Sequence, residues 1–80
     1  MKIQVTQEDI DNGLPRRIDF CPVALAVRRA FPKNEQVYVG GDRILIGGRR
    51  YHSPSVVFDF ISLFDSQAGG LPFEFETYQV

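Results

Sequence analysis

Eighty residues, 44% of them hydrophobic and including three tyrosines and seven phenylalanines, form one domain over residues 1–80, because so short a chain cannot divide its apolar side chains between two cores. Nine basic against ten acidic side chains leave a formal charge of −1, which argues against both a general nucleic-acid binder and a strongly acidic DNA mimic. A lone cysteine, Cys21, excludes an internal disulfide, no basic-then-apolar leader opens Met1-Lys2-Ile3-Gln4-Val5, and no uncharged run approaches the roughly 18 residues that span a bilayer.

The expectation is therefore an intracellular, cytoplasmic protein without a membrane partner. Lys2-Ile3-Gln4-Val5 alternates polar and apolar side chains, the pattern of a half-buried strand. Thr6 then precedes Gln7-Glu8-Asp9-Ile10-Asp11-Asn12-Gly13, with a hydroxyl and a carboxylate three residues apart in a capping-box arrangement, which predicts a helix of one to two turns. Leu14-Pro15-Arg16-Arg17-Ile18-Asp19-Phe20 has no period and contains a proline, so it is a loop that Leu14, Ile18 and Phe20 would pin to the core.

Cys21-Pro22 opens the second helix, since the fixed φ of proline suits the first helical position and its missing N–H costs nothing there. Val23, Ala26, Val27, Ala30 and Phe31 share one helical face, Arg28 and Arg29 sit where the macrodipole favours cations, and Pro32 stops the helix. Val37-Tyr38-Val39 and Ile44-Leu45-Ile46 are strand-like runs around Gly40-Gly41-Asp42, a composition suited to a tight reversal with positive φ. After Gly47-Gly48, Arg49-Arg50-Tyr51-His52 is either a third strand of a meander or an irregular loop. Ser53-Pro54 then sets an N-cap hydroxyl before a first-turn proline, and Val57, Phe60, Ile61 and Phe64 recur at helical spacing. Gln67-Ala68-Gly69-Gly70 ends that helix, and Phe73-Glu74-Phe75-Glu76-Thr77-Tyr78 is a period-two strand.

This order predicts an α+β fold: a small antiparallel or mixed sheet of four or five strands, with two main helices and one short helix packed mainly on one face. Its core is Ile3, Val5, Val27, Val37, Val39, Ile44, Ile46, Phe60, Ile61, Phe64, Phe73 and Phe75. Such a chain buries roughly 60% of the surface its unfolded form exposes, so stability is modest and a homodimer is one remedy.

Cys21 is the sharpest chemical candidate, because a helix N-terminus and the nearby Arg16 or Arg17 can stabilise a thiolate. Its only base would be His52, and the simpler account makes it a small side chain packed under the preceding loop. Cys21 with His52 would need two further carboxylates to hold zinc, and no spacing supplies them. The glycine pairs match neither GxGxxG nor GxxxxGK[ST] and are turn chemistry. Glu74 and Glu76 share the polar face of the last strand, where solvated charges are a simpler use than metal or acid–base work. No catalytic, metal or cofactor-binding residue is therefore assigned, and no enzyme activity is expected.

Partner-binding candidates are Arg16, Arg17, Arg28, Arg29, Arg49, Arg50 and Tyr51, since arginine and tyrosine anchor interfaces. Adjacent residues diverge on a helix or strand, so a sequence pair is not a spatial one, and ordinary solvated charges or cross-strand partners for Glu74 and Glu76 are the commoner use. Tyr38 and Tyr78 would join Tyr51 in a binding surface if they face outward.

Ile3-Gln4-Val5-Thr6-Gln7-Glu8-Asp9-Ile10-Asp11-Asn12-Gly13, Cys21-Pro22-Val23-Ala24-Leu25-Ala26 and Pro72-Phe73-Glu74-Phe75 together resemble a group of short uncharacterised proteins of bacteriophages and bacteria. That resemblance implies a phage or mobile-element setting and carries no activity or functional residue with it. The expected function is a small non-catalytic protein-binding module, a phage-encoded factor that blocks a host protein, such as a defence component, sterically or electrostatically. Two alternatives remain: a nucleic-acid accessory protein using the arginine pairs, whose binding would fall steeply with salt, and a Cys21-dependent enzyme.

Overall fold

A computed structural model describes residues 1–31, 33 and 36–80. The elements are β1 (Lys2–Val5), α1 (Gln7–Asn12), α2 (Pro22–Ala30), β2 (Val37–Val39), β3 (Ile44–Ile46), β4 (Arg49–Tyr51), α3 (Ser55–Asp65) and β5 (Phe73–Glu76). The fold is α+β, as the pattern predicts, with its strands divided between two small antiparallel sheets. In one, β1 pairs with β5 so that Ile3 faces Phe75 and Val5 faces Phe73. The other is the meander β2-β3-β4, in which Val37 and Val39 oppose Ile46 and Ile44, and Leu45 and Ile44 oppose Arg50 and Tyr51.

Residues 77–80 join the two sheets. The Thr77 N–H donates to Met1 O, just before β1, while the His52 N–H donates to Tyr78 O and the Val80 N–H to Arg50 O. A bridge pairs Tyr51 with Gln79. Thr77, 1% exposed, satisfies its buried hydroxyl by donating to His52 O at 2.6 Å. The strand expected over Phe73-Tyr78 therefore changes partner after Thr77.

Alternation puts Ile3, Val5, Val37, Val39, Ile44, Ile46 and Phe75 in the core with Val27 and Phe60. Ile61, Phe64 and Phe73 are only half-buried and pack against it, with the Phe73 ring 4.9 Å from Phe60. The first half of α2 is covered on more than one stripe, since Pro22, Val23 and Ala24 are buried beside Ala26 and Val27. Ala30, expected on that face, is exposed. Pro32, expected to stop the helix, lies outside the described residues.

Three local expectations need correction. Leu14, Ile18 and Phe20 do not pin their loop by burial, being 46%, 58% and 42% exposed. Hydrogen bonds hold it instead, from Leu14 N to Phe20 O and from Val39 N to Ile18 O. The Gly40-Gly41-Asp42 turn uses no positive φ, whereas Gly47 and Gly48 do, at 58° and 83°. Gly41 is required by close approach, because a Cβ there would meet the Phe58 ring at 2.5 Å. Finally, α3 starts one residue late. Pro54 occupies the cap position in extended conformation with no side-chain cap, and the Ser53 hydroxyl is buried without a hydrogen-bond partner among the described residues.

The α1 capping box is present as predicted: Asp9 N donates to Thr6 Oγ1 at 3.2 Å and Thr6 N donates to Asp9 Oδ2 at 2.9 Å. The buried Asp9 carboxylate also receives both terminal nitrogens of Arg29, at 2.7 and 3.0 Å. Arg29 Nη2 donates to Gln4 O on β1 as well. One ion pair thus ties α1, α2 and β1 together, with a bidentate geometry that suits guanidinium and carboxylate.

Burial pushes the Asp9 carboxyl upward, but the Arg29 and Thr6 hydrogen bonds outweigh it and hold the group below the ordinary aspartate range. A carboxylate depressed in the folded state contributes stability that is full above its unfolded value, about pH 4, and is lost as pH falls through the folded value. Arg29→Ala leaves that carboxylate buried without its cation, and about 1–3 kcal/mol of stability at neutral pH should be lost. Denaturant midpoints measured from pH 7 to below pH 4 will check this: the acid-side decline should be steeper in the parent than in Asp9→Asn.

Candidate interaction surface

The six predicted arginines have different fates. Arg16, held at φ 58°, donates from its backbone to Asp65 Oδ1 and from its side chain to Asp65 O. This fastens the loop 14–20 to the end of α3, where the macrodipole favours a cation. Arg29 belongs to the Asp9 pair. Arg17 and Arg28 flank the Phe20 ring, their guanidinium carbons 5.4 and 5.2 Å from its centroid. Both are steered by Asp19: Arg17 Nε donates to Asp19 Oδ1 at 3.2 Å and Arg28 donates to Asp19 O. The hydrogen bond from Arg17 holds the Asp19 carboxyl below its usual range.

Arg49 and Arg50 diverge as strand geometry requires. Arg49 stands opposite Ile46, and Arg50 opposite Leu45 on the other side of the sheet. Tyr51 turns inward, half-buried, with its ring edge-on to Phe31 at 5.8 Å. Cross-strand pairing of arginines with Glu74 and Glu76 is not what the structure shows for Glu74, which pairs with Lys2 at 3.1 Å. Loop 14–20 thus gathers Arg16, Arg17 and Arg28, while Arg29 and Tyr51 serve the interior.

The outer face of β2-β3-β4 is solvent-exposed. Tyr38 opposes Leu45, Leu45 opposes Arg50, and the Val80 N–H bonds Arg50 O on the far edge. One row across the sheet therefore reads Tyr38, Leu45, Arg50, Val80. Arg43 precedes Leu45 by two positions and shares its face. His52 and Tyr78 stack beside this row, rings 4.9 Å apart and 14° from parallel. On the opposite edge, Val39 N bonds Ile18 O, so the loop extends the surface. Ile18, Tyr38, Gly40, Asp42, Arg43 and Leu45 line a shallow groove of about 410 Å³, room for an apolar side chain or two.

Ile18, Tyr78 and Val80 are 58%, 59% and 75% exposed, which makes this a mixed aromatic and aliphatic surface with cations at its margin. Arg43 and Leu45 were not among the residues singled out in the sequence. The signal for Leu45 lies in the register: with Ile44 and Ile46 inward, the residue between them must face out. Arg43 follows by the same alternation.

Cys21 caps α2 rather than presenting a nucleophile. Its Sγ accepts from Ala24 N at 3.4 Å, and the residue is 3% exposed. Burial pushes the thiol up, outweighing the Ala24 and Val23 N–H groups that pull it down. No group of three or more His, Cys, Asp or Glu side chains placed to hold a metal ion occurs among the described residues, and no helix is long and apolar enough to cross a membrane. No protein family, curated protein or solved structure matches the chain.

A buried, protonated thiol reacts slowly. Native protein should therefore modify with a disulfide reagent at neutral pH at least about tenfold more slowly than the same protein in denaturant. Cys21→Ser, which keeps an oxygen acceptor at the cap, should preserve the far-ultraviolet circular dichroism spectrum. A fast native reaction would instead mean an accessible thiolate.

Proposed function

We propose that this protein is a protein-binding module whose docking surface is the outer face of β2-β3-β4, extended by loop 14–20. The observation that carries this is the row Tyr38, Leu45, Arg50 across that face, with Leu45 half-buried between the exposed Tyr38 and Arg50, bordered by Ile18, Tyr78 and Val80, which are all more than half exposed. Apolar and aromatic side chains beside arginine on an uncovered sheet face are the composition of interface anchors, and a contiguous patch of this kind marks interaction surfaces. Binding there requires no bond making or breaking. In the phage or mobile-element setting that the sequence resemblance implies, such a module acts by occupying a host protein and blocking it, sterically or through charge.

One observation favours a second function. The stacked His52 and Tyr78 rings with arginines on the same face suit a single-stranded nucleic acid, whose bases stack on aromatic rings. Aliphatic Ile18, Leu45 and Val80 have no use in such a platform, and a sequence pI of about 5.7 opposes phosphate binding. The protein partner is the better supported occupant.

A photo-crosslinking residue placed at position 45, with position 74 as control, tests the docking face in host cells. Discrete adducts are expected from position 45 and not from position 74. An adduct of twice the chain's mass would identify a second copy as the occupant. Tyr38→Ala should reduce the position-45 adduct about tenfold if Tyr38 anchors the interface. Equal labelling from both positions, or labelling from neither, would contradict the proposal.

A further inference from the structure

Four arginines are already engaged: Arg16 with Asp65, Arg17 and Arg28 with Asp19, and Arg29 with Asp9. Arg43 and Arg50, by contrast, have no ion pair or side-chain hydrogen bond among the described residues. Arg43 sits in the turn just before β3 and lines the same groove as Leu45, and Arg50 on β4 stands directly opposite Leu45. Like charges so placed repel, and among the described residues neither is paired with a carboxylate. Asp42 lines the same groove as Arg43 without pairing with it, leaving the three groups with a net positive charge. Between the two cations lies Leu45, only partly exposed, and the groove wall continues through Tyr38 to Ile18.

Resting on the protein-binding function proposed above, we infer that the occupant of this face is an acidic protein segment carrying one large apolar side chain. The apolar side chain enters the groove between Ile18 and Leu45, and carboxylates of the segment flank it to meet Arg43 and Arg50. Complementary charge steers the encounter and sets the register, while the apolar anchor supplies the burial. Asp42 opposes the same segment, so the native surface is not the tightest binder its scaffold can offer.

Selection of random short peptides displayed on the surface of a carrier against the immobilised full chain tests this, with the Arg43→Glu, Arg50→Glu double variant as counter-selection. Enriched peptides should carry an excess of Asp and Glu around one Leu, Ile, Phe or Met. Their affinity should fall at least about tenfold in the double variant and weaken as salt rises. It should rise several-fold in Asp42→Lys, a gain that misfolding cannot produce. If circular dichroism shows the double variant unfolded, Arg43→Gln with Arg50→Gln replaces it, with the same direction expected. Enriched peptides without an acidic excess, or with equal affinity for the double variant, would overturn the inference. If such peptides still require Leu45, as shown by loss of binding in Leu45→Lys, the acidic partner fails while the docking face stands. Failure to enrich any peptide would overturn the acidic segment, and, together with retention of oligo-dT that Arg43→Glu abolishes, would overturn the protein-binding function as well.

Discussion

Two sheets of two and three strands cannot bury a core by themselves, and the structure depends on α2 to supply what they lack. That helix packs on both β1 and β2, and its buried positions Val23, Ala24, Ala26 and Val27 place small side chains where two backbones must approach. A helix with bulkier residues there would hold the sheets apart. Its two ends are fastened by different chemistry: the Cys21 thiol caps the N-terminus, and Arg29 near the other end reaches the Asp9 carboxylate and β1. Isolated helices of this length are marginal in water, so these tertiary attachments, more than propensity, keep it formed.

Placing α2 and α3 against the interior faces leaves the opposite side of the meander without a cover. A three-helix complement, one member of which has only six residues, is too small to blanket both faces of the strands. The exposed face is thus a consequence of size as much as of selection at any single residue. Its content is mixed: Tyr38, Leu45, Val80 and Ile18 are aromatic or aliphatic, and Arg43 and Arg50 stand beside them with no ion pair among the described residues. By contrast, on the polar side of β1-β5 Lys2 meets Glu74 and the Met1 ammonium meets Glu76. The same fold therefore pairs its charges on one sheet face and leaves them open on the other.

Much of this was legible in the chain. Thr6 and Asp9 announce their capping box, Cys21-Pro22 marks the start of α2, and the β-branched runs around Gly40-Gly41 and Gly47-Gly48 give the meander, because each signal is local and needs only a few neighbouring residues. What escaped depends on distant partners. Ile18 and Phe20 look like core residues until the hydrogen bond from Val39 shows that the loop is held by its backbone. Gly41 looks like a positive-φ turn residue until Phe58, remote in sequence, is packed on it. Ser53 resembles an N-cap, but Pro54 takes that position, and nothing in the local pattern separates the two. The arginine pairs carry no record of which member finds a carboxylate, and nothing in the local pattern marks Arg43, a single arginine in a turn, as an arginine without an ion pair among the described residues.

The change of partner after Thr77 connects architecture to surface. Up to Thr77 the chain belongs to β1, and from Tyr78 onward it belongs to β4. Only a short segment crossing between sheets can do this, and the buried Thr77 hydroxyl bonded to His52 O fixes where the crossing occurs. Because the side-chain period of a strand is two, moving that crossing by one residue would turn Tyr78 and Val80 inward and Gln79 outward. The part of the exposed face that Tyr78 and Val80 supply is therefore set by a buried hydrogen bond that does not itself reach the surface. Thr77 acts on recognition only through register: it places Val80 at the end of the row that the β2-β3-β4 pairings set through Tyr38, Leu45 and Arg50.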